Sequence, residues 1–319
     1  MNIKEHIEFC EATAPSSTAN LGPGFDVFGL GLDLFYDKVS IHKLATKNGR
    51  IKIILGDDTN IPSQVIENSA SLSVMKFAQK YKIKDDLDIR ITKGVPIGLG
   101  LGSSAASSAA AVIAFNELFQ CRLTGNELLE FAAEGEVSSA GVKHYDNVAA
   151  SLFGGFVIVR TSPTLQFIKV KTPKDLILVV CVPDIVTAAK KTKVARSLIP
   201  KDIPIKDLTK NLSNACIIVS GFFLQDTDLI AKGIIDTIVE SARKILIDGY
   251  DEVRSNALGS GALAVTISGA GPSMIAFTKS TKNARKIGNA MEQGFIDSKV
   301  KSRSYICHPS NEAKVISKF

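Results

Sequence analysis

The sequence predicts an α+β fold in two domains, and three observations carry that reading. Strand and helix signals come in irregular runs rather than in the regular alternation of a doubly wound sheet. The chain has 319 residues, 45% of them hydrophobic, enough for two cores. Thr161, Ser162 and Pro163 break the pattern, and strand signals begin again after them, so the boundary is expected there, with domains at 1–163 and 164–319.

Taken in order, His6 to Ala14 reads as a strand. The following PSSTANLGPGFD is expected to be an irregular loop, because Pro15, Gly22, Pro23 and Gly24 interrupt regular structure. Phe28 to Phe35 and Lys38 to Leu44 are strand-like, and Asn48-Gly49 predicts a tight hairpin into Ile51 to Leu55. Gln64 to Tyr81 has helical spacing at Val65, Leu72, Met75 and Phe77, and Leu87 to Ile91 alternates as a strand.

That strand feeds PIGLGLGSSAASSAAA, residues Pro96 to Ala111, in which glycines at 98, 100 and 102 precede an alanine-rich helix former. A helix start of this kind offers unpaired N–H groups and the positive pole of the dipole, so phosphate is the natural guest. It is not a P-loop, for no Lys follows the last glycine, and its glycine spacing is not that of a dinucleotide fingerprint.

Thr124 with Glu127 forms a capping box for a further helix, expected to end near Gly135. Glu136, His144, Asp146 and Asn147 then gather among small residues ahead of a strand at Gly155 to Arg160. Beyond the break, strands are predicted at Leu165 to Val170 and Leu176 to Val182. Helices follow at Val186 to Leu198, Ile205 to Leu224, Asp236 to Ile247 and Glu252 to Leu258. A strand through Val265, the turn SGAGPS, a strand at Met274 to Thr278, a helix at Asn283 to Gly294 and a strand to Cys307 close the pattern.

Composition narrows the function. The net charge of +6 is spread over 38 basic and 32 acidic residues with no basic stripe, so nucleic acid is not the expected partner. The five cysteines have no metal-ligand spacing and read as reduced thiols, and the charged MNIKEHIEF shows no secretory signal, so a cytoplasmic protein is expected. The two uncharged stretches, 94–116 and 256–278, are interrupted by Gly, Ser and Pro and do not read as membrane spans.

Three motifs, STANLGPGFD at 17–26, GLGLGSSAA from Gly98 and ISGAGPS at 267–273, resemble in spelling and order those of the GHMP small-molecule kinases, which include galactokinase, homoserine kinase and mevalonate kinase. One motif alone is a weak signal, and three in order span most of the chain. The resemblance implies a two-domain GHMP kinase fold, with an N-terminal domain like that of a ribosomal protein and a C-terminal ferredoxin-like α/β sandwich. It implies that ATP is cradled by Pro96, Gly98, Gly100, Leu101, Gly102, Ser103, Ser104 and Ala105, and that Ser104 and Glu136 hold Mg2+.

Within the family the spelling is most similar to the homoserine kinases, which implies L-homoserine as acceptor, a step toward threonine, and a homodimer. Asn20, Asp26, His144, Asn147, Thr192, Arg196, Arg243 and Gly269 are then expected at the substrate, Asp26 for its ammonium group and the arginines for its carboxylate, which a planar guanidinium binds with paired donors. Asn147 stands where sugar and mevalonate kinases carry an Asp that can take the hydroxyl proton. It is therefore expected, with Glu136 and Ser104, to serve catalysis by positioning and charge neutralisation. Another alcohol such as shikimate or mevalonate, or a phosphate- or RNA-binding module without catalysis, is the alternative the sequence leaves open.

Overall fold

The computed structural model describes residues 7–55, 61–186 and 191–319. Strands β1 (Phe9–Asn20) and β2 (Gly24–Lys43) run antiparallel over nearly their whole lengths. The segment expected to be a loop is thus mostly strand. Pro15 is tolerated because the register shifts between Pro15 and Ser16, a bulge at which a missing N–H breaks no ladder. The reversal is confined to a tight turn, with Asn20, Leu21 and Gly22 at φ of 71°, 48° and 79°.

Next come β3 (Ile51–Leu55), α1 (Ser69–Tyr81) and β4 (Leu87–Thr92). β3 pairs with β4 in parallel, so Asn48-Gly49 does not turn a hairpin. Asn48 instead joins Thr46 and Arg50 in donating to the Asp86 carboxylate, which fastens this corner. α1 starts where Asn68 accepts from the N–H groups of Ala70 and Ser71.

Helices α2 (Ser103–Leu118) and α3 (Gly125–Ala140) follow. The Thr124–Glu127 capping box forms as predicted, but α3 runs through Gly135. A side chain there would collide with Ser108, Ser73 and the Ser69 carbonyl, so this glycine serves close packing and not a helix stop. The alanines of α2 are buried between β1, α1 and α3, and Phe77, Phe115 and Phe131 stack beside them. Each fully buried Phe contributes about 1.5–3 kcal/mol.

The chain continues through α4 (Asp146–Phe153), β5 (Phe156–Arg160), β6 (Gln166–Val170), β7 (Ile177–Pro183), α5 (Lys191–Ser197), α6 (Ile205–Leu224), α7 (Thr227–Gly233), α8 (Val239–Arg243), α9 (Tyr250–Gly259), β8 (Ala264–Ile267), β9 (Met274–Thr278), α10 (Thr281–Asp297), β10 (Ser302–Cys307) and β11 (Lys314–Lys318). Among the described residues these make a seven-stranded sheet, β11-β1-β2-β4-β3 with β5 pairing β2 and β6 pairing β5, and a four-stranded antiparallel sheet, β10-β7-β9-β8. The architecture is α+β.

The division expected between residues 163 and 164 falls inside a hairpin. Arg160 faces Gln166 across it, so the 161–163 break is a hairpin turn, the chain leaves the first sheet after Val170, and it returns as β11. The two sheets share an apolar cluster in which Leu30 and Leu32 meet Leu178, Ile275 and Phe277, and Phe156 stacks on Phe222 at 3.8 Å. That shared core fixes the loops of one sheet against those of the other.

Candidate active site

The three motifs meet where those loops face each other. Ser17 N donates to Leu101 O at 3.0 Å, and Ser273 N donates to Leu99 O at 3.3 Å. The Ser268 hydroxyl lies 2.8 Å from Gly100 O and 3.0 Å from Thr18 Oγ1. Gly100 and Gly102 have φ of 79° and 66°. A Cβ on Gly100 would strike the carbonyls of Ser268 and Gly271, and one on Gly102 would strike Ser17 and stand 3.1 Å from Asn147 Oδ1. Torsion and space both demand glycine at these two positions.

Gly102 is the N-cap of α2, and no side chain caps that helix start. Its first turn therefore keeps the N–H groups and dipole that favour an anion. Leu101 and Ala105 are buried, so what they can offer a ligand is backbone. Ser103 Oγ is committed to Val95 O at 2.9 Å and ties the ends of the loop together. Pro96 is half-buried and Gly98 exposed at the loop entry.

Ser104 differs, because its hydroxyl donates to Glu136 Oε1 at 2.6 Å. Glu136 is 6% exposed, and burial pushes its carboxyl up to about 7 against the opposing hydrogen bond from Ser104. Asp146, also buried, is pushed up to about 7, chiefly by burial and then by Asp26. Among the described residues no group of three or more His, Cys, Asp or Glu could cage a metal. A hydroxyl beside a single carboxylate does suit Mg2+, which takes few protein oxygens and fills its shell with phosphate and water.

A second cluster adjoins the loop. Arg196 Nη2 donates to Asp26 Oδ2 at 2.5 Å and lies 3.0 Å from His144 Nε2. Burial is the largest influence on His144 and holds it below its ordinary 6.5, so the ring is neutral at pH 7 and accepts from the guanidinium. Arg243 is 4% exposed and donates to the carbonyls of Ala195 and Gly269. Asn20 Nδ2 donates to the same Gly269 carbonyl at 2.9 Å, and its Oδ1 accepts Asp26 N at 3.2 Å, holding Asp26 at φ 59°. Thr192 lies on α5, and its side chain falls outside the described residues.

The structure thus brings Asn20, Asp26, His144, Arg196, Arg243 and Gly269 together, and Asn147 lies beside Gly102 of the glycine loop, bonded to Ser17. Sequence reasoning gave no role to Phe25, over whose ring both guanidinium carbons lie, at 5.3 Å for Arg196 and 5.1 Å for Arg243. It also missed Ser17, whose hydroxyl bonds Asn147 Oδ1 at 3.1 Å. Both belong to the first motif, which was the available signal.

An anion-binding helix start, a hard-oxygen pair and an adjoining pocket with two guanidinium groups suit phosphoryl transfer to a small charged acceptor. Family models agree: the GHMP kinases N terminal domain matches residues 68–155 and the GHMP kinases C terminal matches residues 218–297. The chain is 40% identical over 268 residues to a homoserine kinase of Methanococcus maripaludis, covering 83% of this chain and 86% of that one. It is 35% identical over 301 residues to one of Chlorobaculum tepidum, covering 91% and 92%. The crystal structure of homoserine kinase from Cytophaga hutchinsonii superposes with a TM-score of 0.90 at 37% identity, covering 99% of this chain and all of that one. An L. major mevalonate kinase, at 16% identity and a TM-score of 0.64, shares the fold. The chain belongs to the GHMP kinases, in the homoserine kinase branch.

Proposed function

We propose that the protein transfers the γ-phosphoryl group of ATP to the side-chain hydroxyl of L-homoserine, giving O-phospho-L-homoserine and ADP on the route to threonine. The observation that carries the acceptor is Arg196. Its Nη2 is engaged by Asp26 and His144, while its Nε is buried without a hydrogen-bond partner among the described residues. A buried donor left unpaired is costly, and a substrate carboxylate would complete it. Asp26, already in the pocket, is the group for the substrate ammonium.

Glycines 98, 100 and 102 and the start of α2 would receive the phosphates, and Ser104 with Glu136 would hold Mg2+, which when bound neutralises the β and γ oxygens. In the transfer, the homoserine oxygen bonds to γ-phosphorus as the bond to the β–γ bridging oxygen breaks, and the hydroxyl proton leaves to phosphate or water. Asn147, beside Gly102, would hold the hydroxyl in line. Positioning and charge neutralisation supply the rate.

A coupled ADP-release assay with Mg2+ and homoserine, shikimate, mevalonate or galactose tests this. Turnover with homoserine well above the others is expected. Preference for another alcohol reassigns the acceptor, and no turnover with any returns the site to phosphate binding alone.

We also place the protein in the cytoplasm, supported by five free cysteines, and as a homodimer. Supporting the dimer, Ile205, Leu208, Leu212, Cys216 and Phe223 recur at three- to seven-residue intervals along α6 and are exposed. Leu212→Glu should leave a monomer in light scattering, and a monomeric wild type removes the dimer. Export of a tagged protein from the cytoplasmic fraction would contradict the location.

A further inference from the structure

Asp37 on β2 and Lys93, just after β4, form an ion pair with side-chain exposures of 0% and 7%. Asp37 Oδ1 accepts the N–H groups of Gly94 and Val95, each at 2.9 Å, and Oδ2 accepts the Ser107 hydroxyl at 2.6 Å. Lys93 Nζ donates to that carboxylate, to Ser107 Oγ at 2.9 Å, and to the carbonyl of Ser103, the first residue of α2, at 2.9 Å. Residues 93–95 enter the glycine loop and residues 103–107 leave it. One pair therefore clamps both ends of the loop to β2.

Stability alone is a poor reason for such a pair, since apolar side chains of similar volume commonly serve as well. Its place is also unfavourable for the helix, because a cation within the first turn opposes the macrodipole. Both objections disappear when an anion occupies the same helix end. The ammonium then adds to the potential that holds the anion, and the carboxylate fixes the backbone that presents the N–H groups.

We infer that Asp37, Lys93 and Ser107 are positioning residues of the phosphate site, acting through the glycine loop on the nucleotide's phosphates and not on its base or on the acceptor. This rests on the reading of loop 98–102 as the nucleotide phosphate site. It adds a charged support 56 residues apart in sequence, which no glycine or serine of the motif supplies.

Calorimetric titration with ADP and with adenosine separates the possibilities. Ser107→Ala leaves the ion pair in place and removes the hydroxyl that ties it to α2. The double variant Asp37→Asn/Lys93→Met removes both charges at similar volume and avoids leaving one buried charge alone. ADP affinity should fall about threefold in Ser107→Ala and about tenfold in the double variant, with adenosine affinity unchanged. In steady state the ATP KM should rise while the homoserine KM stays put. Equal losses for ADP and adenosine, or no ADP loss in a folded variant, overturn the inference. Should the double variant not fold, the ADP-to-adenosine ratio of Ser107→Ala decides. A wild type that binds ADP no better than adenosine overturns the phosphate-site reading itself.

Discussion

Arg196 donates through Nη2 to Asp26 Oδ2 across 2.5 Å, so that α5 closes on the start of β2. With side chains 39% and 41% exposed, the pair adds little stability, but it sets the plane of the guanidinium. Arg243 is held differently, buried beneath the Ala195 and Gly269 carbonyls. Arg196→Leu should therefore raise the homoserine KM about ten- to hundredfold, the worth of one charged hydrogen bond, with ATP KM and urea midpoint near wild type. Arg243→Leu should raise the homoserine KM too, and should also cost about 1–3 kcal/mol in urea unfolding because it strips two carbonyls of a donor. A normal homoserine KM in Arg196→Leu would take that residue out of the pocket.

His144 gives the pocket a pH dependence with a definite sign. Burial lowers its proton affinity, Asp26 opposes that shift, and Arg196 and Arg243 reinforce it. Below its ordinary 6.5 the unfolded chain gains a proton that the folded protein resists, so this contribution is complete above 6.5 and is lost as pH falls. Asp146 acts in the opposite sense, since its raised value near 7 removes stability as pH rises toward 7. The comparison that isolates His144 is with His144→Gln, relative to which the wild type should lose stability between about pH 7 and 5. Parallel urea midpoints across that range would show that burial does not perturb the ring.

Glu136 sets function against stability. Its buried carboxylate is disfavoured without a cation, and the Ser104 hydroxyl and the Lys93 charge offset that burial only in part. Glu136→Gln keeps the shape and removes the charge. Its thermal midpoint without metal should equal or exceed that of wild type, while kcat falls at least about a hundredfold and the Mg2+ concentration for half-activation rises. Wild-type Mg2+ dependence in this variant would assign the metal elsewhere.

Much of this was legible in the sequence, for reasons tied to particular residues. Asn68, Thr124 and the 3.6-residue spacing after Ile205 act over one or two turns, so helix starts and lengths could be read locally. PSSTANLGPGFD was misread as a loop because its strand depends on pairing with β2 and on non-glycine residues, Asn20, Leu21 and Asp26, held at positive φ by tertiary contacts. The partner of β3 was misassigned because a good turn dipeptide says nothing of which strand lies alongside. In the site, the motifs gave the residues but not their pairing. No spacing rule joins Arg196 to Asp26 or Lys93 to Asp37, and the burial of Arg243 was invisible in a segment that reads as a solvated helix.

The proposed role of Asn147 bears on how the acceptor loses its proton. Ser17 Oγ lies 3.1 Å from Asn147 Oδ1 and 3.2 Å from its carbonyl, Ser151 braces Ser17 at 3.2 Å, and the Asn147 N–H is held by Asp146 at 2.7 Å. The amide is therefore fixed beside Gly102, but it cannot accept a proton at neutral pH. If positioning is its role, Asn147→Leu should lower kcat about ten- to hundredfold with a much smaller change in ADP affinity, because it removes the bond to the acceptor and, toward the loop, only the contact with Ser17. Asn147→Asp should give no gain in kcat, since a second carboxylate beside buried Asp146 would face the phosphates. The kcat–pH profile of the wild type supplies the sharper check. Without a side-chain base, replacing Asp26, His144 or Asp146 changes the height of the profile and leaves its shape between about pH 5 and 8 alone. An ascending limb that disappears in one of those three variants would identify that residue as the base and reduce Asn147 to holding the loop.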